Sequence, residues 1–250
     1  MDYNANELMV CQAARQLQDG DVVFVVAGLP DIACNLARRM HAPNLVMIYE
    51  SGVVGASPKQ LLASAGDPSL VTNPLGICSM FEIFNYYLQG GCIDAGFLQG
   101  TQIDRFGNLN NTVVGDYHKP VERLTGSGGA CEVATLAKKV FIIAPQNKHS
   151  FPEHVDFITS PGFVDGSDAR KQLGMPGEGP VMVITNFGCY TFRNGEMVLV
   201  SLHPGCTLEE VQKNIGWKIK VASDLKTTDE PNERELQIIR EELDPKHLFI

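Results

Sequence analysis

Two short apolar runs, separated by a helix-length amphipathic stretch, constrain this chain more than any other feature. Asp21-Val22-Val23-Phe24-Val25-Val26 is apolar throughout after its first residue, and Leu45 to Tyr49 repeats the pattern. A strand that is apolar on both faces must be covered on both, which is the situation of a central parallel strand. Between the runs, Gly28-Leu29-Pro30-Asp31 turns the chain into a helix over Ile32 to Met40, with Asp31 able to cap its first turn. His41-Ala42-Pro43-Asn44 stops that helix. Parallel neighbours need a crossover of a dozen or so residues, usually helical, so the segment predicts a βαβ unit.

The pattern recurs along the 250 residues with less regularity. Glu7 to Leu17 brings Leu8, Val10, Cys11, Ala14 and Leu17 near one helix face. Met80 to Leu88 predicts a helix, and Ala95 to Gln99 and Val140 to Ala144 predict strands. Asp104-Arg105-Phe106-Gly107-Asn108 reads as a tight turn that needs its glycine. Further on, Val181 to Thr185, Cys189 to Phe192 and Met197 to Leu202 are closely spaced strands, the last two joined at Arg193-Asn194-Gly195. Thr207-Leu208-Glu209-Glu210 is a capping box, and a helix over Glu233 to Leu243 is closed by Asp244-Pro245. The economical prediction is one α/β domain over residues 1–250. It has a mostly parallel central sheet flanked by helices, with antiparallel additions toward the C-terminus.

Charge and cysteine usage exclude several classes. Twenty Lys+Arg against 29 Asp+Glu give a net charge of −9 without a basic run, a poor match for nucleic acid or an anionic membrane. No apolar run reaches the roughly 18–20 residues of a membrane span. The seven cysteines are scattered, with no Cys-x-x-Cys pair, so neither a zinc ribbon nor a disulfide framework is expected. His149 and His154 lack metal-ligand spacing on one helix, and no metal is expected. The expected setting is the reducing cytoplasm.

In open parallel sheets, ligands bind beyond the carboxyl ends of strands. Three segments are expected at such ends: Gly28-Leu29-Pro30, Glu50-Ser51-Gly52-Val53-Val54-Gly55 and Thr125-Gly126-Ser127-Gly128-Gly129-Ala130. Glu50 would leave the second strand beside Gly52 and Gly55, which allow another backbone or a ligand close approach. Read from the residues alone, Glu50 is a nucleophile, a general base, or a strand-end carboxylate capping the loop. Gly126 to Gly129 precede a helix expected over Cys131 to Lys139 and offer backbone N–H groups to an anion or oxyanion, or form a close-packed turn. The cluster lacks the Lys-Ser/Thr ending of a P-loop and the Gly-x-Gly-x-x-Gly fingerprint of a dinucleotide site. Asp116-Tyr117-His118 is an acid–base candidate or a solvated loop. Cys131 is a low-pKa thiol or a small buried side chain, and Trp217 is expected in the core.

These residues carry a resemblance. Ala27-Gly28-Leu29-Pro30, Tyr49-Glu50-Ser51-Gly52, Gly100-Thr101-Gln102-Ile103-Asp104 with Gly107-Asn108, Gly115-Asp116-Tyr117-His118, Thr125 to Ala130, Thr159-Ser160-Pro161-Gly162 and Ile239 to Pro245 stand in an order that resembles the B (β) subunits of family I CoA-transferases, within them the glutaconate CoA-transferase branch. Ser51 stands where many relatives carry Asn. The resemblance implies a fold shared with some sugar-phosphate isomerases and an active site completed by a separate A-type (α) subunit in a hetero-oligomer. It implies acyl-CoA and a small carboxylic acid as substrates. By resemblance Glu50 is the nucleophile that carries a glutamyl-CoA thioester, and a backbone N–H at Gly128 or Gly129 forms part of the oxyanion hole. The resemblance also implies that Gly28, Gly126, Ser127, Gly128 and Gly129 lie against CoA, with glycines in the loop where a side chain would block the approach. Competing readings on the same scaffold are a CoA-thioester hydrolase or lyase and a non-catalytic partner subunit, with a phosphosugar isomerase more distant.

Overall fold

The computed structural model describes residues 2–56, 66–166 and 168–250. The chain divides into two compact units, Met1–Phe97 with Glu230–Ile250, and Leu98–Asp229.

In the first unit, helix α1 (Ala5–Ala14) opens with a capping box. Asn4 Oδ1 accepts from the Glu7 N–H, and the Glu7 carboxylate accepts from the Asn4 N–H. Every residue from Glu7 to Ala14 is buried, so this helix is enclosed all round rather than along the one face its periodicity suggests. Strand β1 (Val22–Phe24), helix α2 (Leu29–Met40) and strand β2 (Val46–Ile48) form the expected βαβ unit, with Val22 opposite Val46 in a parallel pair. Two short strands missing from the sequence reading, β3 (Val53–Val54) and β4 (Gly76–Ile77), add antiparallel pairs beyond β2. The expected helix at Met80 is one turn, α3 (Met80–Glu82), that continues as a wider π-helical stretch, Ile83–Leu88. Strand β5 (Ala95–Leu98) runs parallel to β1 on its other side, so the order is β5-β1-β2-β3-β4.

The second unit begins with two antiparallel ribbons, β6 (Gln102–Ile103) with β7 (Leu109–Asn110) and β8 (Val113–Gly115) with β9 (Pro120–Arg123). Helix α4 (Ala130–Leu136), strand β10 (Lys139–Ile143) and helix α5 (Ala169–Gln172) follow. Next come β11 (Pro180–Ile184), β12 (Gly188–Arg193), β13 (Glu196–Leu202), α6 (Leu208–Lys213) and β14 (Lys220–Thr227). The β10–β11 and β13–β14 pairs are parallel, and β11-β12-β13 are antiparallel. Asn194 and Gly195, both with positive φ (52° and 74°), make the tight β12–β13 turn expected there. The Arg170 guanidinium is buried without a carboxylate among the described residues. It donates to the carbonyls of Gly162 (2.9 Å), Ala134 (3.0 Å), Pro161 and Gly177 (both 3.2 Å). That ties the Ser160-Pro161-Gly162 segment to the end of α4. Trp217 stacks on Phe151 in the core, as expected.

Helix α7 (Glu233–Gln237) and a π-helical turn, Ile238–Leu243, return to the first unit. Arg240 grips the buried Glu7 carboxylate with two bonds, Nε to Oε1 at 2.5 Å and Nη2 to Oε2 at 2.9 Å. Burial alone would raise the Glu7 pKa. The Arg240 hydrogen bonds, the Asn4 N–H and the Arg240 charge outweigh it and hold the group below its ordinary 4.5. Arg240→Met leaves that carboxylate with the Asn4 N–H and is expected to lower stability by about 2 kcal/mol at pH 7, moderated by solvent at the exposed arginine. A carboxylate with a depressed folded-state pKa adds stability above its unfolded-state pKa and loses it as pH falls through the folded value. The deficit in urea unfolding should therefore be complete at pH 7 and shrink as pH is taken below 4.5.

Candidate active site

Strand β2 ends at Ile48, and the chain reverses at once. The Tyr49 N–H donates to the Val53 carbonyl and the Gly52 N–H to the Tyr49 carbonyl, both at 3.0 Å, leaving Glu50 and Ser51 as the central pair of a tight turn into β3. Gly52 has φ 106°, and a Cβ built on it would lie 1.9 Å from the Cys78 carbonyl oxygen. At Gly55 the Cβ would lie 2.5 Å from Leu75 Cγ. The close approach expected at these glycines is made by the chain's own β4 segment. Glu50 is half-buried, and its carboxylate has no hydrogen bond or ion pair among the described residues. It does not cap the loop.

Because β1 and β2 are parallel neighbours, Gly28 and Glu50 emerge at the same end of the sheet, where ligand sites of such sheets form. Gly28 has φ 95° and precedes α2, with no atom of the described residues beyond its chain neighbours within 4 Å of a Cβ built on it. The helix starts at Leu29, three residues earlier than expected, which puts Asp31 inside its first turn instead of ahead of it. The N-cap is Gly28 rather than Asp31, whose buried Oδ1 accepts from the Tyr49 hydroxyl at 2.7 Å and from the Asn35 amide at 3.1 Å.

The glycine loop belongs to the second unit. It follows β9 of an antiparallel ribbon, not a parallel strand, which corrects the third of the expected strand ends. Gly126 (φ 93°) donates to the Asn111 carbonyl at 2.7 Å, and the Ser127 hydroxyl accepts from the Cys131 N–H at 3.1 Å. The N–H groups of Gly128 and Gly129 donate to nothing among the described residues. Among the described residues, apart from the chain neighbours, no atom lies within 4 Å of a Cβ built at Gly126 or Gly128, so their positive φ, not crowding by these residues, calls for glycine. Burial, then the Glu132 charge, raises the Cys131 thiol, which removes the low-pKa reading of that residue. An uncharged groove of about 410 Å³, lined by Gly100, Thr101, Asn111, Thr125, Ile143 and Pro145, opens where the loop begins.

Other motif residues are scaffold. Buried Asp104 accepts from the N–H groups of Phe106 and Asn108, and Asn108 Oδ1 accepts from those of Gly162 and Val164. Asp116 accepts from the His118 and Lys119 N–H groups in an exposed turn. Among the described residues, no three His, Cys, Asp or Glu side chains gather as metal ligands, and no helix is long and apolar enough to cross a membrane. In the first unit, Leu75 (76% exposed), Ile77 (64%), Met80, Phe81 and Tyr86 leave apolar side chains exposed on and around the edge strand β4. Of the polar residues on α2, the sequence reading took Asp31 as a cap and did not single out Asn35 or Arg38. Asp31, Asn35 and Arg38, spaced i, i+4 and i+7 on one helix face, were the available signal.

Residues 7–214 match the protein family described as Coenzyme A transferase. The chain belongs to that family. It is an enzyme subunit of the CoA-transferase class, of the family I B type, and CoA-transferases use CoA thioesters as substrates. Over 240 residues it is 49% identical to the B-type subunit of the 3-oxoadipate CoA-transferase of Pseudomonas knackmussii, covering 95% of this chain and 92% of that one. The B-type subunit of the glutaconate CoA-transferase of Acidaminococcus fermentans is 36% identical over 257 residues, covering 100% and 96%. The crystal structure of glutaconate CoA-transferase from the same organism superposes with a TM-score of 0.93 at 35% identity, covering 100% of this CoA-transferase chain and 98% of its counterpart. The fold is α/β, with a mixed, mostly parallel sheet and flanking helices.

Proposed function

We propose that residues 1–250 form the catalytic B-type subunit of a cytoplasmic CoA-transferase that moves CoA from an acyl-CoA to a carboxylic acid through Glu50. The observation that carries this reading is the Glu50 turn: a carboxylate with no partner among the described residues, at the carboxyl end of a parallel strand. Its oxygen attacks the donor thioester carbonyl, the C–S bond breaks, and the CoA thiolate leaves a mixed anhydride on Glu50. The thiolate then attacks the glutamyl carbonyl, releasing the donor acid and forming a glutamyl-CoA thioester. An acceptor carboxylate reverses both steps and regenerates Glu50.

Each tetrahedral intermediate carries an oxyanion that needs preorganised donors, and the unengaged N–H groups of Gly128 and Gly129 suit that role. Gly28 and the Gly126-Ser127 turn are proposed to lie against CoA. The uncharged groove beside Thr125 suits the amide-bearing pantetheine arm. An A-type subunit is the proposed partner, supported by the relatives' being named as B-type subunits and by the apolar surface around β4. The acid is proposed to be a short dicarboxylate of the glutaconate or 3-oxoadipate kind, since both relatives are named for one.

The test is an assay of the complex with an A-type partner, offered acyl-CoA with and without each acid. CoA should appear on the acceptor acid, with the thioester stable in its absence. Steady loss of acyl-CoA without an acceptor would instead make the complex a hydrolase.

A further inference from the structure

We infer that helix α2 carries a buried polar clamp that fixes the Glu50 turn, with Asp31, Asn35, Arg38 and Tyr49 as positioning residues for the transfer reaction. The inference rests on Glu50 being the group that reacts.

Asp31, Asn35 and Arg38 lie on one face of α2, and the first two are almost fully buried. Their hydrogen bonds run as a chain with an end on each side of the turn. On one side, the buried Tyr49 hydroxyl donates to Asp31 Oδ1 at 2.7 Å, and Asn35 Nδ2 donates to the same oxygen at 3.1 Å. On the other, Arg38 Nη1 donates to the Ala56 carbonyl at 2.7 Å while Nη2 donates to Asn35 Oδ1 at 3.1 Å. Arg39 Nη1 adds a bond to Asn35 Oδ1 at 3.3 Å. Tyr49 and Ala56 bracket the Glu50-Ser51-Gly52 turn and β3, so both ends of the reactive segment are pinned to one rigid helix.

A carboxylate and an amide in a buried interface are unfavourable unless fully paired, and apolar side chains could hold α2 against the sheet without them. What a hydrogen-bonded chain adds is direction, because it sets where the Tyr49 ring and the Ala56 carbonyl stand. The Glu50 carboxylate has no partner of its own among the described residues, so its place depends on the backbone beneath it. A nucleophile attacking a bound thioester needs that placement, and an error of about 1 Å can reduce rate by roughly 10²-fold. The clamp reaches Glu50 only through backbone, leaving the carboxylate free to react.

Two variants loosen one end each: Tyr49→Phe keeps the ring and removes the hydroxyl, and Arg38→Met releases Ala56. In the complex with the A-type partner, each is expected to lower kcat by about 10- to 100-fold, with KM for acyl-CoA changed by less than about 3-fold. Borohydride-trapped labelling of Glu50 should slow by the same factor. Arg38→Lys should recover part of the rate, since its ammonium can still donate to a carbonyl. Folded variants with kcat and labelling rate within about twofold of wild type would overturn the clamp, as would a lowered Tm with kcat unchanged or a raised KM alone. Should Arg38→Met fail to fold, the milder Tyr49→Phe decides by the same criteria. Glu50→Gln, run alongside, separates the two ideas. If it retains turnover, the nucleophile assignment fails; if it is inactive while the clamp variants behave as wild type, the clamp alone fails.

Discussion

Glu50→Gln is expected to lower transfer turnover by at least about 10⁴-fold while leaving the fold and CoA-ligand binding intact. Removing a covalent nucleophile from a hydrolase triad costs about 10⁶-fold in kcat, and no other carboxylate is proposed to take this role. The amide keeps the size and shape of the side chain but cannot form the mixed anhydride or the thioester. Its structural cost should be small. The Glu50 carboxylate has no hydrogen bond or ion pair among the described residues to lose, and the residue is only half-buried at the tip of a turn. Steady-state rates with glutaconate and 3-oxoadipate as acceptors, beside a Tm within about 2 °C of wild type, check both halves.

Gly52→Ala is expected to be the most damaging single methyl in the first unit, lowering stability by about 4 kcal/mol or more and abolishing turnover. Two causes add. With φ 106°, the backbone is in a region that L side chains rarely adopt, and the new Cβ would sit 1.9 Å from the Cys78 carbonyl oxygen. That oxygen cannot simply retreat. The Cys78 N–H donates to the Gly52 carbonyl at 2.9 Å, and Val53 pairs with Ile77, so relieving the clash means opening the β3–β4 pair beside the Glu50 turn. Gly128→Ala is the control: its φ is also positive, at 50°, but its Cβ has open space, and a cost of about 1–2 kcal/mol is expected. Urea unfolding of the two variants measures the difference.

The βαβ unit was legible because burial of consecutive residues, Val23-Phe24 and Met47-Ile48, requires apolar side chains on both faces of each strand, and Pro43 marks the break after α2. The Asn194-Gly195 turn and the Thr207–Glu210 capping box were legible because only a few residue types satisfy those backbones. Strands of two residues, such as β3 and β4, are too short to show a period. Asp31 was misread because a helix-start Asp usually caps; its actual partner, the Tyr49 hydroxyl, is set by how α2 packs on β2. Arg170 escaped notice for a related reason, since it pairs with carbonyls from three separate stretches, at Ala134, Pro161-Gly162 and Gly177, and with no acid among the described residues. Glu50 could be found by position, at the end of an apolar strand and just before a glycine, but the role proposed for it came from the resemblance. Which acid is exchanged depends on the shape of the completed site, which a local pattern does not encode.

The most direct measurement is mass spectrometry on this chain, co-expressed with its A-type partner, incubated with acyl-CoA and then treated with borohydride. A mass change mapping to Glu50, absent in Glu50→Gln and absent without acyl-CoA, is the expected result, because a glutamyl-CoA thioester is reduced in place. An unmodified Glu50 in a complex that still consumes acyl-CoA would contradict covalent catalysis by this residue and point to hydrolase or lyase chemistry on the same scaffold.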